Sequence, residues 1–145
     1  MFAQIFFGAL LLALSAMLYV VAMVPTSRLV TREADHPDKP LGSARAILLV
    51  GIVALAVVFG HTVVVWIWSI AFVVSGALPN MEQSVYFTLV TYTTLGYGDL
   101  TLTEEFRVFG TMAAVTGLLN FGISTAFLVG VISRILPHTH QHSAG

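Results

Sequence analysis

Thr93-Thr94-Leu95-Gly96-Tyr97-Gly98-Asp99 is where this chain can do chemistry, and the reactive groups are backbone carbonyls. For successive carbonyls to face one axis, alternate residues must visit dihedrals closed to residues with a Cβ. Gly96 and Gly98 permit this. Leu95 and Tyr97 then turn their side chains outward into packing, and the Thr94 hydroxyl adds an oxygen at the inner end. Four such loops around an axis would stack oxygen cages able to replace the water shell of a potassium ion. Thr94, Leu95, Gly96 and Tyr97 supply those oxygens, and Gly98 shapes the outer end. Thr93 leads into the row. Asp99 closes it, accepting hydrogen bonds from behind the loop or adding negative field at the mouth.

Such a loop needs elements to hold it at membrane depth. Apolar residues make up 57% of the chain and charged ones 9%, so lipid must solvate most of a 145-residue molecule. Three segments can span: Phe2–Val24, Ala46–Val74 and Phe106–Leu136. About twenty apolar residues cross about 30 Å, and the latter two exceed that, so they should tilt or protrude. The first has no positive leader region and is too long for a signal-peptide core, so it reads as a retained helix. The linker, 25–45, holds Pro25, Pro37 and Pro40 and reads as partly irregular. In the stretch 78–106, Asn80 suits a helix cap with Glu82 in the first turn. A pore helix over 81–93 is too short to span. The extended filter, 93–99, is tolerated in a membrane only where protein or water surrounds it. The negative end of that helix lowers the cost of holding a cation in mid-membrane.

Basic residues set the orientation. Arg28, Arg32, Lys39 and Arg45 lie in the linker and Arg134 ends the third span, with Arg107 at the other face. The positive-inside rule puts the linker and C-terminus in the cytoplasm and the N-terminus outside. Glu82, Asp99, Glu104 and Glu105 then ring the external mouth. With no cysteine, thiolate metal sites and disulfides are excluded. The near-neutral charge offers no basic block for nucleic acid, and no nucleophile–base pair or cofactor motif supports an enzyme.

Residues 46–136 resemble the pore module of the potassium channel family, in its small prokaryotic form. The resemblance rests on Thr-Thr-Leu-Gly-Tyr-Gly-Asp, on Tyr86-Phe87 where the family often has aromatics flanking the filter, and on Gly117-Leu118-Leu119-Asn120-Phe121-Gly122. It implies an outer helix (46–76), a pore helix, a filter and an inner helix (105–136) whose gating glycine is Gly117. Leu95 replaces the commoner valine. Val90 stands where some members have a glutamate paired with the filter aspartate, so Asp99 must find another partner or face water. The first helix, 1–24, lies outside this pattern, and it holds no arginine or lysine to act as a voltage sensor.

At helical spacing from Gly117, the stripe Phe121, Thr125 and Val129 is assigned to the cavity and gate. Asn120 sits beside it and reads as structural, bonding the pore helix of a neighbour, with cavity lining as the alternative. Gly110, Gly122 and Gly130 read as close-packing glycines. His61 reads as a neutral histidine bonded to a carbonyl or to the first helix, with proton sensing as the alternative. Trp66 and Trp68 read as interface markers. His138, His140 and His142, in a tail at 137–145, read as inert, with metal or acid sensing as the alternative.

The expected fold is an all-α membrane protein with three transmembrane helices, a re-entrant pore helix and an extended filter. One loop per chain requires a C4 homotetramer, set in the cell (plasma or inner) membrane. The expected function is passive potassium conduction without a cofactor, potassium being the permeant ligand. The alternatives are a poorly selective cation channel and a non-conducting membrane subunit.

Overall fold

The computed structural model of the protein describes residues 2–34 and 43–135. Its four helices are α1 (Phe2–Ala34), α2 (Ser43–Val74), α3 (Met81–Tyr92) and α4 (Arg107–Ile135). By length and composition α1, α2 and α4 can each cross a membrane. The 12 residues of α3 cannot, since they reach only about 18 Å at about 1.5 Å per residue.

The first helix does not stop at Val24. It continues through Pro25 to Ala34, which corrects the irregular reading of the linker's first part. A proline inside a helix removes one backbone donor and crowds the preceding turn. Helical hydrogen bonding resumes beyond it, and buried packing continues on the same face. Tyr19, Met23, Thr26 and Val30 form one stripe at helical spacing, each at most 7% exposed. Glu33 also pairs with Arg45 across the α1–α2 gap at 2.9 Å. Pro37, Lys39 and Pro40 lie outside the described residues, as does the tail with His138, His140 and His142.

Two apolar clusters hold the helices together. At the linker end, Val30 of α1 meets Ala46, Leu49 and Val53 of α2 and Val131 and Ile135 of α4. In the other cluster, Trp68 and Phe72 of α2 and Phe109 of α4 pack with Leu102 and with Tyr92 of α3. Trp68 is 0% exposed and its ring lies 5.5 Å from that of Phe109. It is therefore a core residue, correcting its reading as an interface marker, while Trp66 two positions earlier faces outward. Two residues on a helix differ by about 200° in direction, so the pair could not share one environment.

Punctuation between α2 and α3 follows local rules. Gly76 takes a left-handed φ of 76°, and Gly76 and Leu78 donate to the Val73 and Phe72 carbonyls at 3.0 and 3.2 Å. Asn80 caps α3 by accepting from the Gln83 amide at 3.0 Å.

α1 packs along both α4 and α2, and glycines allow the approach. A Cβ on Gly60 would stand 2.8 Å from the Tyr19 ring, and one on Gly8 2.9 Å from Met112. A Cβ on Gly51, on the same helix as Gly60, would meet nothing within 4 Å among the described residues. Gly60→Leu should therefore push α1 off α2 and cost about 1–3 kcal/mol. Thermal unfolding in detergent checks this: Gly60→Leu should melt well below wild type and Gly51→Leu close to it.

Candidate functional site

The loop after α3 takes the backbone that its glycines allow, with one addition. Thr94, Gly96 and Gly98 have φ of 60°, 55° and 78°, so every second residue is left-handed. Glycine does this freely, whereas a residue with a Cβ pays about 1–2 kcal/mol. The sequence pointed to the two glycines and missed Thr94. Its neighbours hold it in place: the Thr94 amide donates to the Thr91 carbonyl at 2.9 Å, and the Leu95 and Gly96 amides both donate to Val90 at 2.9 and 3.2 Å.

Thr93 is the C-cap of α3. Its amide donates to the Leu89 carbonyl at 3.1 Å and its hydroxyl to the same oxygen at 2.7 Å. The helix end is thus closed before the loop begins. Residues 93–99 are all exposed in the single chain, with Leu95 at 55% and Tyr97 at 67%. The packing expected for these two side chains is therefore not made within one chain.

Asp99 has found its other partner. The Tyr86 hydroxyl donates to Asp99 Oδ2 at 2.5 Å, and the Leu100 amide donates to Oδ1 at 3.0 Å. Tyr86 lies one helical turn before Val90, on the same face of α3, so its phenol reaches across where the valine is too short. The signal was present in the sequence as this i, i+4 relation. The hydrogen bond to Asp99 pushes the Tyr86 phenol above its ordinary pKa, so the phenol keeps the proton it donates at neutral pH and loses it as pH rises through the raised value. Phe87 turns the other way, its ring 5.3 Å from Phe72 in the core.

Tyr92, at the other end of the loop, is the residue that sequence reasoning missed. It is 1% exposed, and its hydroxyl accepts from Asn120 Nδ2 at 3.1 Å and lies 2.9 Å from His61 Nδ1. Asn120 thus bonds α3 of its own chain, which corrects the expectation of a neighbour's helix. His61 also reaches the first helix, with Nε2 3.2 Å from the Tyr19 hydroxyl.

Gly117 lies against the Tyr92 backbone. A Cβ there would stand 1.9 Å from the Tyr92 carbonyl oxygen and 2.7 Å from its carbon. α4 runs unbroken through this position, so here Gly117 serves close approach rather than a bend. Phe121 stacks on His61 with ring centroids 4.5 Å apart and keeps 40% exposure. Thr125 and Val129 are exposed. A Cβ on Gly110 would stand 2.7 Å from Leu102, as expected of a packing glycine, whereas one on Gly122 or Gly130 would meet nothing within 4 Å among the described residues.

A groove of about 400 Å³ runs beside the loop, between Tyr86, Val90, Gly98 and Asp99 on one side and Arg107 and Gly110 on the other. It is an open apolar recess along the outer half of the filter-like segment.

Comparison with known proteins shows the family. A family profile described as "Ion channel" matches residues 47–134. The chain belongs to this family, as a potassium channel pore module. The A-type voltage-gated potassium channel KCND3 of human, rat and mouse is 34% identical over 65 residues, covering 44% of this chain. That match covers about a tenth of those relatives' own length. No solved structure matches the chain significantly. The protein is a multi-pass membrane protein of the ion-channel class.

Gly117→Ala should force Tyr92 away from α4, because the obstructing atoms are backbone and cannot rotate aside. The expected cost is about 1–3 kcal/mol, despite the gain in helix propensity of about 1 kcal/mol that alanine brings. An unchanged unfolding midpoint in detergent would show that the two helices are not in contact.

Proposed function

We propose that the protein is a potassium-selective channel in which four copies meet around an axis through residues 93–99. The alternating left-handed φ at Thr94, Gly96 and Gly98 carries this reading. It is the backbone pattern that lets consecutive carbonyls share one direction, and a cation can exchange its hydration shell for such a row. Thr94, Leu95, Gly96 and Tyr97 coordinate potassium, Gly98 forms the outer end, and Asp99 braces it through Tyr86. Conduction is passive and needs no cofactor.

The proposal accounts for features that a lone chain leaves open. Leu95 and Tyr97 are exposed, and the apolar recess by Tyr86 and Gly110 is a place for a neighbour's side chains. A closed C4 ring satisfies both through one repeated heterologous contact. Surrounded by its copies, α3 becomes a re-entrant pore helix, and irregular backbone at membrane depth is then enclosed by protein. Phe121, Thr125 and Val129 line the cavity below. The excess of basic residues at the linker end supports a cell-membrane protein with that side cytoplasmic and the N-terminus outside. The outer helix, pore helix, filter and inner helix then form the module at 46–136.

Potassium flux into liposomes containing the purified protein tests the reading. Wild type should carry flux and Gly96→Ala should abolish it, because a Cβ at a φ of 55° disturbs the ring. Equal sodium and potassium permeability in bi-ionic reversal potentials would replace selective conduction by a non-selective cation pore. Absence of flux would favour a non-conducting subunit.

Glu104 and Glu105 are exposed beside the loop and, on this reading, concentrate cations at the mouth. Neutralising both to Gln should lower single-channel conductance at low salt and leave it nearly unchanged at about 1 M, where the screening length is only about 3 Å.

A further inference from the structure

A chain of polar side chains runs through the apolar middle of the bundle and touches all four helices. Tyr19 comes from α1, His61 from α2, Tyr92 from the end of α3, and Asn120 and Ser124 from α4. The distances are 3.2 Å from His61 Nε2 to the Tyr19 hydroxyl and 3.4 Å to Ser124 Oγ. On the ring's other side, Nδ1 lies 2.9 Å from the Tyr92 hydroxyl, which Asn120 also reaches at 3.1 Å. Tyr19, Tyr92 and Asn120 are each at most 1% exposed. Polar groups are costly at such depth unless they are paired.

The proton order of this chain follows from its far end. Ser124 donates its one hydroxyl proton to the Phe121 carbonyl at 3.0 Å, so towards His61 it can only accept. With Ser124 as an acceptor, His61 carries its proton on Nε2 and Nδ1 presents a lone pair. The Tyr92 hydroxyl donates to that lone pair and accepts from Asn120. The phenol of Tyr92 is thus held between α2 and α4. Its backbone is fixed as well, by the carbonyl seated on Gly117. Thr93, the next residue, is the cap from which the filter starts.

We infer that Tyr19 and His61 are positioning residues of the pore, through which the first helix sets the inner end of the filter by holding the Tyr92 hydroxyl. The assignment rests on the reading of residues 93–99 as a potassium filter. It makes α1 part of the conducting unit rather than an accessory span. Tyr19 touches His61 at a ring separation of 4.9 Å, and Gly60, the neighbour of His61, leaves space for the Tyr19 ring.

The test uses the full-length protein in bilayers, with two readouts. Nitrogen NMR of ring-labelled histidine should show His61 in the Nε2–H tautomer, with a Nδ1 shift that moves in Tyr92→Phe. Bi-ionic reversal potentials should show the potassium-to-sodium permeability ratio falling about fivefold or more in Tyr19→Phe and Tyr92→Phe, the scale for leaving a buried partner unpaired. The double variant should lose less than the product of the two, because both act through one network. His61→Gln, which keeps a donor and an acceptor, should recover part of what His61→Ala loses.

A Nδ1–H tautomer, or a permeability ratio in Tyr19→Phe equal to wild type, would overturn the assignment. Tyr19→Phe decides if Tyr92→Phe fails to fold, because it removes a single hydroxyl on the helix farthest from the filter in the network. Wild type without potassium flux would overturn the channel reading and this role with it, while the tautomer signature would still show whether the network exists.

Discussion

The seating of Tyr92 on α4 is the contact on which the rest of the molecule depends. A carbonyl that would lie 1.9 Å from any Cβ at position 117 leaves the end of α3 little freedom to shift along α4. The same residue's hydroxyl is caught by Asn120 and His61. Backbone and side chain are thus held by different helices at once. A loop with alternate left-handed residues has few internal hydrogen bonds of its own, so its geometry is inherited from its two ends.

The other end is held by different chemistry. Asp99 is exposed and tied to Tyr86 by a charge-assisted hydrogen bond, which is a shorter and stronger kind than a neutral pair. The inner anchor is buried and made of neutral groups, whereas the outer one is wet and ionic. Between them the Leu95 and Tyr97 side chains are exposed. On the tetrameric reading, that middle stretch is what neighbouring copies must complete. Salt and pH then act first on the outer anchor, and packing changes in the bundle act on the inner one.

Much of this was legible from residue types and spacing. Asn80 as a cap, Gly96 and Gly98 as left-handed positions and the shortness of the helix between them follow from local rules, which depend on few neighbours. Other readings failed because they depended on which way a helix face turned. Trp66 and Trp68 look alike in sequence, yet one faces out and the other is buried. Pro25 signals a break locally, but the stripe from Tyr19 to Val30 outweighs it because burial on α2 and α4 continues past the proline. Gly117 reads as a hinge by resemblance, and the carbonyl opposite it is invisible to any local rule.

The sequence by itself determined the chemistry of the loop, the number of long apolar helices and the need for something to enclose irregular backbone. Those follow from what glycine permits, from length against bilayer thickness, and from the cost of unpaired polar groups in lipid. Which of the possible partners each polar group takes was decided by tertiary structure. Tyr86 replaces a missing carboxylate at Asp99, Asn120 turns to its own chain, and His61 joins the first helix to Tyr92. Residues separated by 42, 31 and 28 positions meet there, and only the packing of four helices brings them within hydrogen-bonding distance.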